Sequence, residues 1–413
     1  MKSVYSDAVQ TPEEPKSLAK TQSVHEIEEN CDMWTRNFLS KARITKITAE
    51  YRDIKDWKPD KFSVKTCEKN ADKNRYKSTL CADQNRVVLK DRDASNDYIH
   101  ASWMDMPDSV RFISTQGPIK STIADFWHMI FTEKCQVIVM LCNYVEDTEK
   151  CAKYFSADSE VTHGEYRIKV VDKQSEPWSP VRWTVLRVKN KKDVKLTVHH
   201  FWYYDWHDQI APLDPSPMIK LYKMALQTAN GSPIVVHCSA GVGRTATFVG
   251  IHLGAEMIKV DPTVDFQNVM KSLRQMRLGA IQSQLQYIFL QKYSGITAKV
   301  HSKIVEEEKK KSKLSKVSKE TKETKEVKEV KEVKEPKNQS DRKKTVSRDS
   351  SAVEKHDVLS TYAACDSNRK EKKLPSAGTP KLSRTPSLAR IIINKLDNKK
   401  RSKKAPSPGA ASQ

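Results

Sequence analysis

The sequence predicts an α/β fold of the α+β type, a twisted, largely mixed β-sheet flanked by helices, with an anion-binding loop between a strand and a helix and a disordered tail behind it. Three observations carry that expectation. Short β-rich runs alternate with helical patterns between residues 86 and 277, as in a sheet with helices laid on it. The apolar run Ile234-Val235-Val236 leads into a small-residue loop and then into a helical pattern. Composition changes near residue 300, beyond which Lys, Glu and Ser dominate.

Taken in order, residues 1–23 are polar, with Pro12 and Pro15 beside acidic residues, and read as a flexible lead. From Val24 to Ile54 the apolar positions Ile27, Trp34, Phe38, Leu39, Ile44, Ile47 and Tyr51 recur mostly at helical spacing, which predicts one or two amphipathic helices. Runs rich in β-branched residues at 86–89, 110–113, 137–141, 166–171, 184–188 and 196–198 are strand candidates. Helical patterns fall near 122–133, 217–229, 244–259 and 264–277. One folded domain is therefore expected over residues 24–299, with a tail over 300–413.

The charge of the chain belongs mainly to that tail. Of 73 Lys+Arg against 52 Asp+Glu, residues 301–413 hold 31 against 16, so +15 of the formal +21 lies there and +6 is left to residues 1–300. The triplets Thr-Lys-Glu and Val-Lys-Glu repeat between Thr321 and Glu335. A period of three turns Val327, Val330 and Val333 around a helix instead of along it, so no coiled-coil seam results. Solvation of a disordered segment explains the charge, and a polyanion or protein partner is the competing reading. No aromatics interleave with the lysines, so sequence-specific nucleic-acid binding is not expected. Lys399-Lys400-Arg401-Ser402-Lys403-Lys404 has the composition of a nuclear address, and Leu388–Ile393 is the sizeable apolar run of the tail.

No apolar run approaches the length of a membrane span and the start lacks a signal-peptide core, so a cytoplasmic or nuclear location is expected. The eight cysteines show no CxxC pair or other metal spacing, which predicts free thiols, no metal and no cofactor.

The chemistry is concentrated in Pro233-Ile234-Val235-Val236-His237-Cys238-Ser239-Ala240-Gly241-Val242-Gly243-Arg244-Thr245. Ser239, Ala240, Gly241 and Gly243 can let successive backbone N–H groups turn inward, making a nest for a phosphate dianion at a helix N-terminus. The same positive field favours the thiolate of Cys238 and makes it a nucleophile. Arg244, six positions on, returns to the loop mouth, where its planar fork can bond two phosphate oxygens. A dinucleotide fingerprint is excluded because Gly241-Val242-Gly243 has no third glycine at the required spacing. A packed core thiol is the bland alternative, against which the whole string weighs.

That string resembles the signature of the phosphotyrosine-specific, cysteine-based protein tyrosine phosphatase family, non-receptor type. Further motifs in family order extend the likeness over roughly residues 45–297: Lys73-Asn74-Arg75-Tyr76, Asn96–Ser102, Thr115-Gln116-Gly117-Pro118, Asp125-Phe126-Trp127, Lys150–Tyr154 and His200–Tyr203. The resemblance makes residues 24–299 a catalytic domain that hydrolyses phosphotyrosine in proteins. It implies that Cys238 attacks phosphorus to form a cysteinyl-phosphate, while Arg244 and the amides of Ser239, Ala240, Gly241, Val242 and Gly243 hold the oxygens. Thr245 would hydrogen-bond the sulfur and His237 would orient the loop from behind. Asp208, in Trp206-His207-Asp208, would be the general acid that a phenolate leaving group requires. Gln282 and Gln286 would position water, with Gln284 blurring that assignment. Tyr76 would wall the cleft against the substrate ring, and Glu146 and Lys150 would steady the acid loop.

This chain departs from the family pattern at three places. His207 stands where the acid loop has proline, which removes a fixed φ from a closing segment. Gln209-Ile210 stands for Phe-Gly, and Ser78 for a peptide-binding Asp. A slower enzyme is expected. The alternative is a phosphotyrosine-binding module with weak or no turnover.

Overall fold

The computed structural model describes residues 23–38, 41–300, 303 and 306. Nearly all of the expected lead and of the tail, including its lysine cluster and its apolar run, lies outside the described residues.

The sheet is organised around strands apolar on both faces. β4 (Val137–Met140) and β9 (Ile234–His237) are buried at every position, as expected of strands with helices above and below. β9 runs parallel to both β3 (Arg111–Thr115) and β4, with Phe112 and Val137 each opposite Ile234. β8 (Lys195–Tyr203) is parallel to β4. Antiparallel strands extend the sheet on either side: β1 (Arg86–Val88) and β2 (Tyr98–Asp105) next to β3, then β5 (Val161–His163), β6 (Tyr166–Trp178) and β7 (Val181–Lys189) beyond β8. The order is β1-β2-β3-β9-β4-β8-β7-β6-β5, a mixed sheet of nine strands among the described residues.

Because β4, β8 and β9 run the same way, the loops that follow them leave from one edge. Those loops are 141–150, 204–215 and 238–243. Sites in such sheets form outside the carboxyl ends of the parallel strands, and every expected catalytic residue except Tyr76, Gln282 and Gln286 falls on or beside these segments.

α6 (Arg244–Val260) starts directly from the loop after β9 and is buried along most of its length. α7 (Phe266–Met276), whose first turn is capped by the Asp265 carboxylate accepting from Gln267 N at 2.9 Å, and the helix over residues 284–300 pack on it. A Cβ on Gly250 would stand 2.7 and 3.1 Å from the Leu273 and Leu290 methyls, so the three helices meet closer than any larger residue permits. α1 (Val24–Phe38) covers the far side: Trp34 stacks on Phe266 with centroids 4.9 Å apart and donates from Nε1 to the Gln291 carbonyl at 3.1 Å. α2 (Lys41–Ile54) follows it, α3 (Lys65–Lys69) is one short turn, and α4 (Ile123–Thr132) and α5 (Ser216–Ala229) complete the helices.

The expected strands and helices are all present, the β6–β7 hairpin being longer than the sequence suggests. Besides the short α3 and β5, two larger elements were not expected. β2 is buried at six of its eight positions and shows no alternation of apolar and polar residues. The 284–300 helix begins among glutamines that read as a motif instead of an amphipathic face. Among the described residues no helix is long and apolar enough to cross a membrane.

Candidate active site

Backbone geometry builds the loop after β9. Gly241 has φ +71°, and a Cβ there would lie 2.3 Å from the Thr115 carbonyl oxygen, so only glycine fits. Its N–H donates to Cys238 Sγ at 3.3 Å. Gly117 donates from its N–H to the Ser239 carbonyl at 2.9 Å, which ties the loop to the end of β3. Cys238 is 3% exposed. All seven described cysteines are free, and burial pushes the Cys31 thiol up to about 11 and those of Cys135, Cys142 and Cys151 further. Those thiols stay protonated and inert.

Arg244 opens α6 with a guanidinium that is fully buried. Nη1 donates to Glu146 Oε1 at 2.6 Å and to the Trp206 carbonyl at 2.7 Å, and Nη2 to Glu146 Oε2 at 3.3 Å. Burial alone would favour the neutral form. The Cys238 sulfur and the Glu146 carboxylate outweigh it and raise the pKa above its ordinary value. Nε has no hydrogen-bond partner among the described residues, an unmet donor beside the sulfur loop.

The two loops from β4 and β8 close on this arginine. Asp208 stands with Oδ1 3.4 Å from Arg244 Nη2 and Oδ2 3.4 Å from Lys150 Nζ. Trp206 is buried and donates from Nε1 to the Ile210 carbonyl at 2.8 Å, which fixes the turn that presents Asp208. Glu146 and Lys150, readable in sequence as a solvated charge run, are thus both engaged. His207 points away, 3.8 Å from Asp205, and Gln209 adopts φ +57°, a strained conformation for a residue with a side chain.

Tyr76 reaches the loop from the other side: its hydroxyl lies 2.8 Å from Ser239 Oγ, which itself donates to the Lys150 carbonyl at 3.0 Å. Arg75, to which the sequence motif gave no role, holds this segment. Its guanidinium donates to the carbonyls of Gly117, Pro118 and Glu149, and its N–H to Gln116 Oε1. Gln282 and Gln286 meet at Gly243, where a Cβ would stand 2.5 Å from Gln282 Oε1 and 3.1 Å from Gln286 Nε2. Gln286 Oε1 accepts from the Gln282 N–H at 3.0 Å, and its Nε2 is buried without a partner among the described residues. Gln284 turns away to Thr48 on α2, so of the three glutamines Gln282 and Gln286 are the ones that stand at Gly243. A cleft of about 410 Å³ opens beside Val242 and Gln282, lined also by Ser78, Lys55, Lys58 and Arg274.

One expected contact is not made. The Thr245 hydroxyl is buried with no hydrogen bond, to the sulfur or to any other described residue; the sulfur takes the Gly241 N–H instead.

His237 does stand behind the loop. Its Nδ1 lies 3.2 Å from the Cys238 carbonyl, its Nε2 2.9 Å from the Tyr154 hydroxyl, and that hydroxyl 2.6 Å from His200 Nε2. A carbonyl only accepts, so His237 carries its proton on Nδ1, Tyr154 donates to His237, and His200 donates to Tyr154. Burial lowers His237 to about 4 and His200 to about 3. Burial and Arg277 lower His100 to about 3. All three are neutral when folded, whereas the unfolded chain takes up their protons below about 6.5. Stability is therefore highest above that value and falls as pH drops toward the folded values, each histidine contributing up to about 1.4 kcal/mol per pH unit inside the window. Urea unfolding is expected to show a loss of several kcal/mol between pH 7 and about pH 5; a flat profile would refute the neutral chain.

Residues 70–295 match the family model described as protein-tyrosine phosphatase. The chain is 35% identical over 228 residues to the mouse tyrosine-protein phosphatase non-receptor type 7, covering 54% of this chain and 62% of that protein. It is 35% identical over 240 residues to the human receptor-type tyrosine-protein phosphatase C, covering 56% of this chain and 18% of that protein. It thus spans less than two thirds of the length of these relatives. A solved structure described as the structural basis of the PTPN18 fingerprint on distinct HER2 tyrosine phosphorylation sites aligns with TM-score 0.55 over 67% of this chain and 99% of that one. At 24% identity, that likeness shows the fold.

Proposed function

The chain belongs to the protein-tyrosine phosphatase family, and from that premise we propose that it hydrolyses phosphotyrosine in proteins through a phosphorylated Cys238. The observation that carries this reading is the pairing of a sulfur held by a loop amide with a buried guanidinium whose Nε is unmet. A phosphoryl oxygen is the natural acceptor for that donor.

In the first step the Cys238 sulfur attacks phosphorus and the bond to the tyrosyl oxygen breaks. Arg244 and the loop amides carry the charge on the equatorial oxygens. Asp208 gives its proton to the departing phenolate, and Tyr76 walls the ring. In the second step water attacks the phosphorus, Asp208 takes its proton, and the S–P bond breaks to return the thiolate. Gln282 and Gln286 hold the water. Glu146 sets the arginine, and Lys150 draws Asp208 toward it.

Incubating the full chain with a phosphotyrosyl peptide should release phosphate, and rapid quenching should leave phosphate on Cys238. Tight binding without release would favour the binding module, for which the strained Gln209 and the exposed His207 are the motive.

Asp208→Asn is expected to lower kcat on the peptide about 10²- to 10³-fold, the usual scale of a general acid, while an aryl phosphate whose leaving group is a weak base loses far less. Comparing the two substrates measures this. Equal losses on both would show that the acid lies elsewhere.

A further inference from the structure

Behind the catalytic loop lies a charged side chain that the reaction above does not use. Arg277, just past α7, is fully buried, and its hydrogen bonds go to neutral groups. Nε donates to the Gly241 carbonyl at 3.2 Å and Nη2 to the Ala240 carbonyl at 3.3 Å. Nη2 also donates to His100 Nδ1 at 2.9 Å, and Nη1 to Ser102 Oγ at 3.1 Å and Cys81 Sγ at 3.6 Å. Among the described residues no carboxylate pairs with it, and burying an unpaired guanidinium is costly, so its position calls for a use.

The peptide plane supplies one. In a trans peptide the C=O and the following N–H point in opposite directions. Ala240 O and Gly241 N belong to one peptide: the oxygen faces Arg277 and the N–H faces the Cys238 sulfur. The next peptide is held the same way, with Gly241 O on Arg277, so the Val242 N–H is turned away from the guanidinium. Arg277 thus grips two carbonyls from behind and aims two amides forward.

His100 locks this grip. It is buried and neutral, so Nδ1 can only accept from Arg277, and the ring proton sits on Nε2, which donates to the Thr79 carbonyl at 3.0 Å. The Thr79 N–H donates to the Tyr76 carbonyl at 3.2 Å, and the Tyr76 hydroxyl returns to Ser239 of the loop. A closed circuit therefore runs from the loop through Arg277, His100 and Thr79 to Tyr76 and back.

We propose that Arg277 is a positioning residue that orients the phosphate-binding amides of Gly241 and Val242, and that His100 couples this orientation to the wall residue Tyr76. This rests on the phosphatase reading of the same loop. His100→Asn keeps an acceptor for Arg277 and a donor for Thr79; His100→Leu keeps neither.

The test measures vanadate affinity and peptide kcat and KM for the full chain carrying Arg277→Met, His100→Leu or His100→Asn, at a temperature where thermal melts show each variant folded. Arg277→Met should weaken vanadate binding about a hundredfold, the scale of lost oxyanion donors. His100→Leu should weaken it about tenfold and raise the peptide KM, and His100→Asn should restore both to within about twofold of the unaltered chain. Should Arg277→Met fail to fold, the His100 pair decides. Vanadate binding by Arg277→Met as tight as that of the unaltered chain, an Asn variant as impaired as the Leu variant, or no vanadate binding by the unaltered chain would each overturn the assignment. If the unaltered chain binds vanadate but releases no phosphate, the phosphatase reading fails, while the vanadate series still tests the positioning.

Discussion

Cys238→Ser is expected to cut phosphate release from a phosphotyrosyl peptide by about 10⁵- to 10⁶-fold, the scale of removing a nucleophile from an otherwise intact site. The change is nearly isosteric and leaves the surroundings in place. Gly241 N–H still has an acceptor, the Arg244–Glu146 pair is untouched, and the carbonyl of residue 238 still takes the His237 proton. What changes is the attacking atom. A hydroxyl is far less acidic than a thiol, and among the described residues no base is free beside residue 238 to ionise it: His237 is turned with Nδ1 on the backbone carbonyl and Nε2 on Tyr154. Asp208 is bound to Arg244 and Lys150. The serine variant should therefore bind the peptide with little loss while releasing almost no phosphate. Calorimetric titration beside a phosphate-release assay separates the two effects. Substantial turnover by the serine variant would mean that the sulfur is not the nucleophile.

The parts of this site that sequence reveals are those built from neighbours along the chain. The run into Cys238 and out through Arg244 is a strand, a turn and a helix in direct succession, so the whole string, and not the Cys-to-Arg spacing alone, pointed to the cysteine and the arginine as a pair at one loop. The central strands β4 and β9 were legible for a similar reason, because burial on both faces forces uninterrupted apolar residues. The contacts of Glu146 were not. It lies 98 residues from Arg244, and only the parallel placement of β4 beside β9 brings its loop over the arginine. Asp208 depends likewise on β8 pairing with β4. Gln284 could not be told from Gln282 and Gln286 because all three share one polar character, and only the folded turn into the 284–300 helix sets Gln282 and Gln286 at Gly243 and Gln284 at Thr48. Arg277 gave no signal because a lone arginine after an amphipathic helix reads as a solvated end. The Thr245 bond was expected from the family resemblance alone, and the start of α6 does not make it.

Arg244→Lys carries the second large effect, an expected fall in kcat/KM of about 10³- to 10⁴-fold. The charge survives; the geometry does not. In this site one guanidinium performs several tasks at once. Two nitrogens hold the Glu146 carboxylate, one of them also holds the Trp206 carbonyl in the loop that carries Asp208, and Nε, without a partner among the described residues, is the donor proposed for phosphate. A lysine ammonium is a single point on a flexible stem and cannot keep a planar fork on a carboxylate while meeting the ligand. It will pair with Glu146, which is the nearest anion, and the acid loop will lose its anchor. That predicts a signature in the double variant. Glu146→Gln alone should cost less than Arg244→Lys, and adding it to Arg244→Lys should cost almost nothing more, because the carboxylate acts only through the arginine it orients. Measured kcat/KM values for the two single variants and the double variant give the coupling directly. If the two losses instead multiply, Glu146 has a function of its own at the substrate, and the account of the arginine as the organiser of this site is wrong.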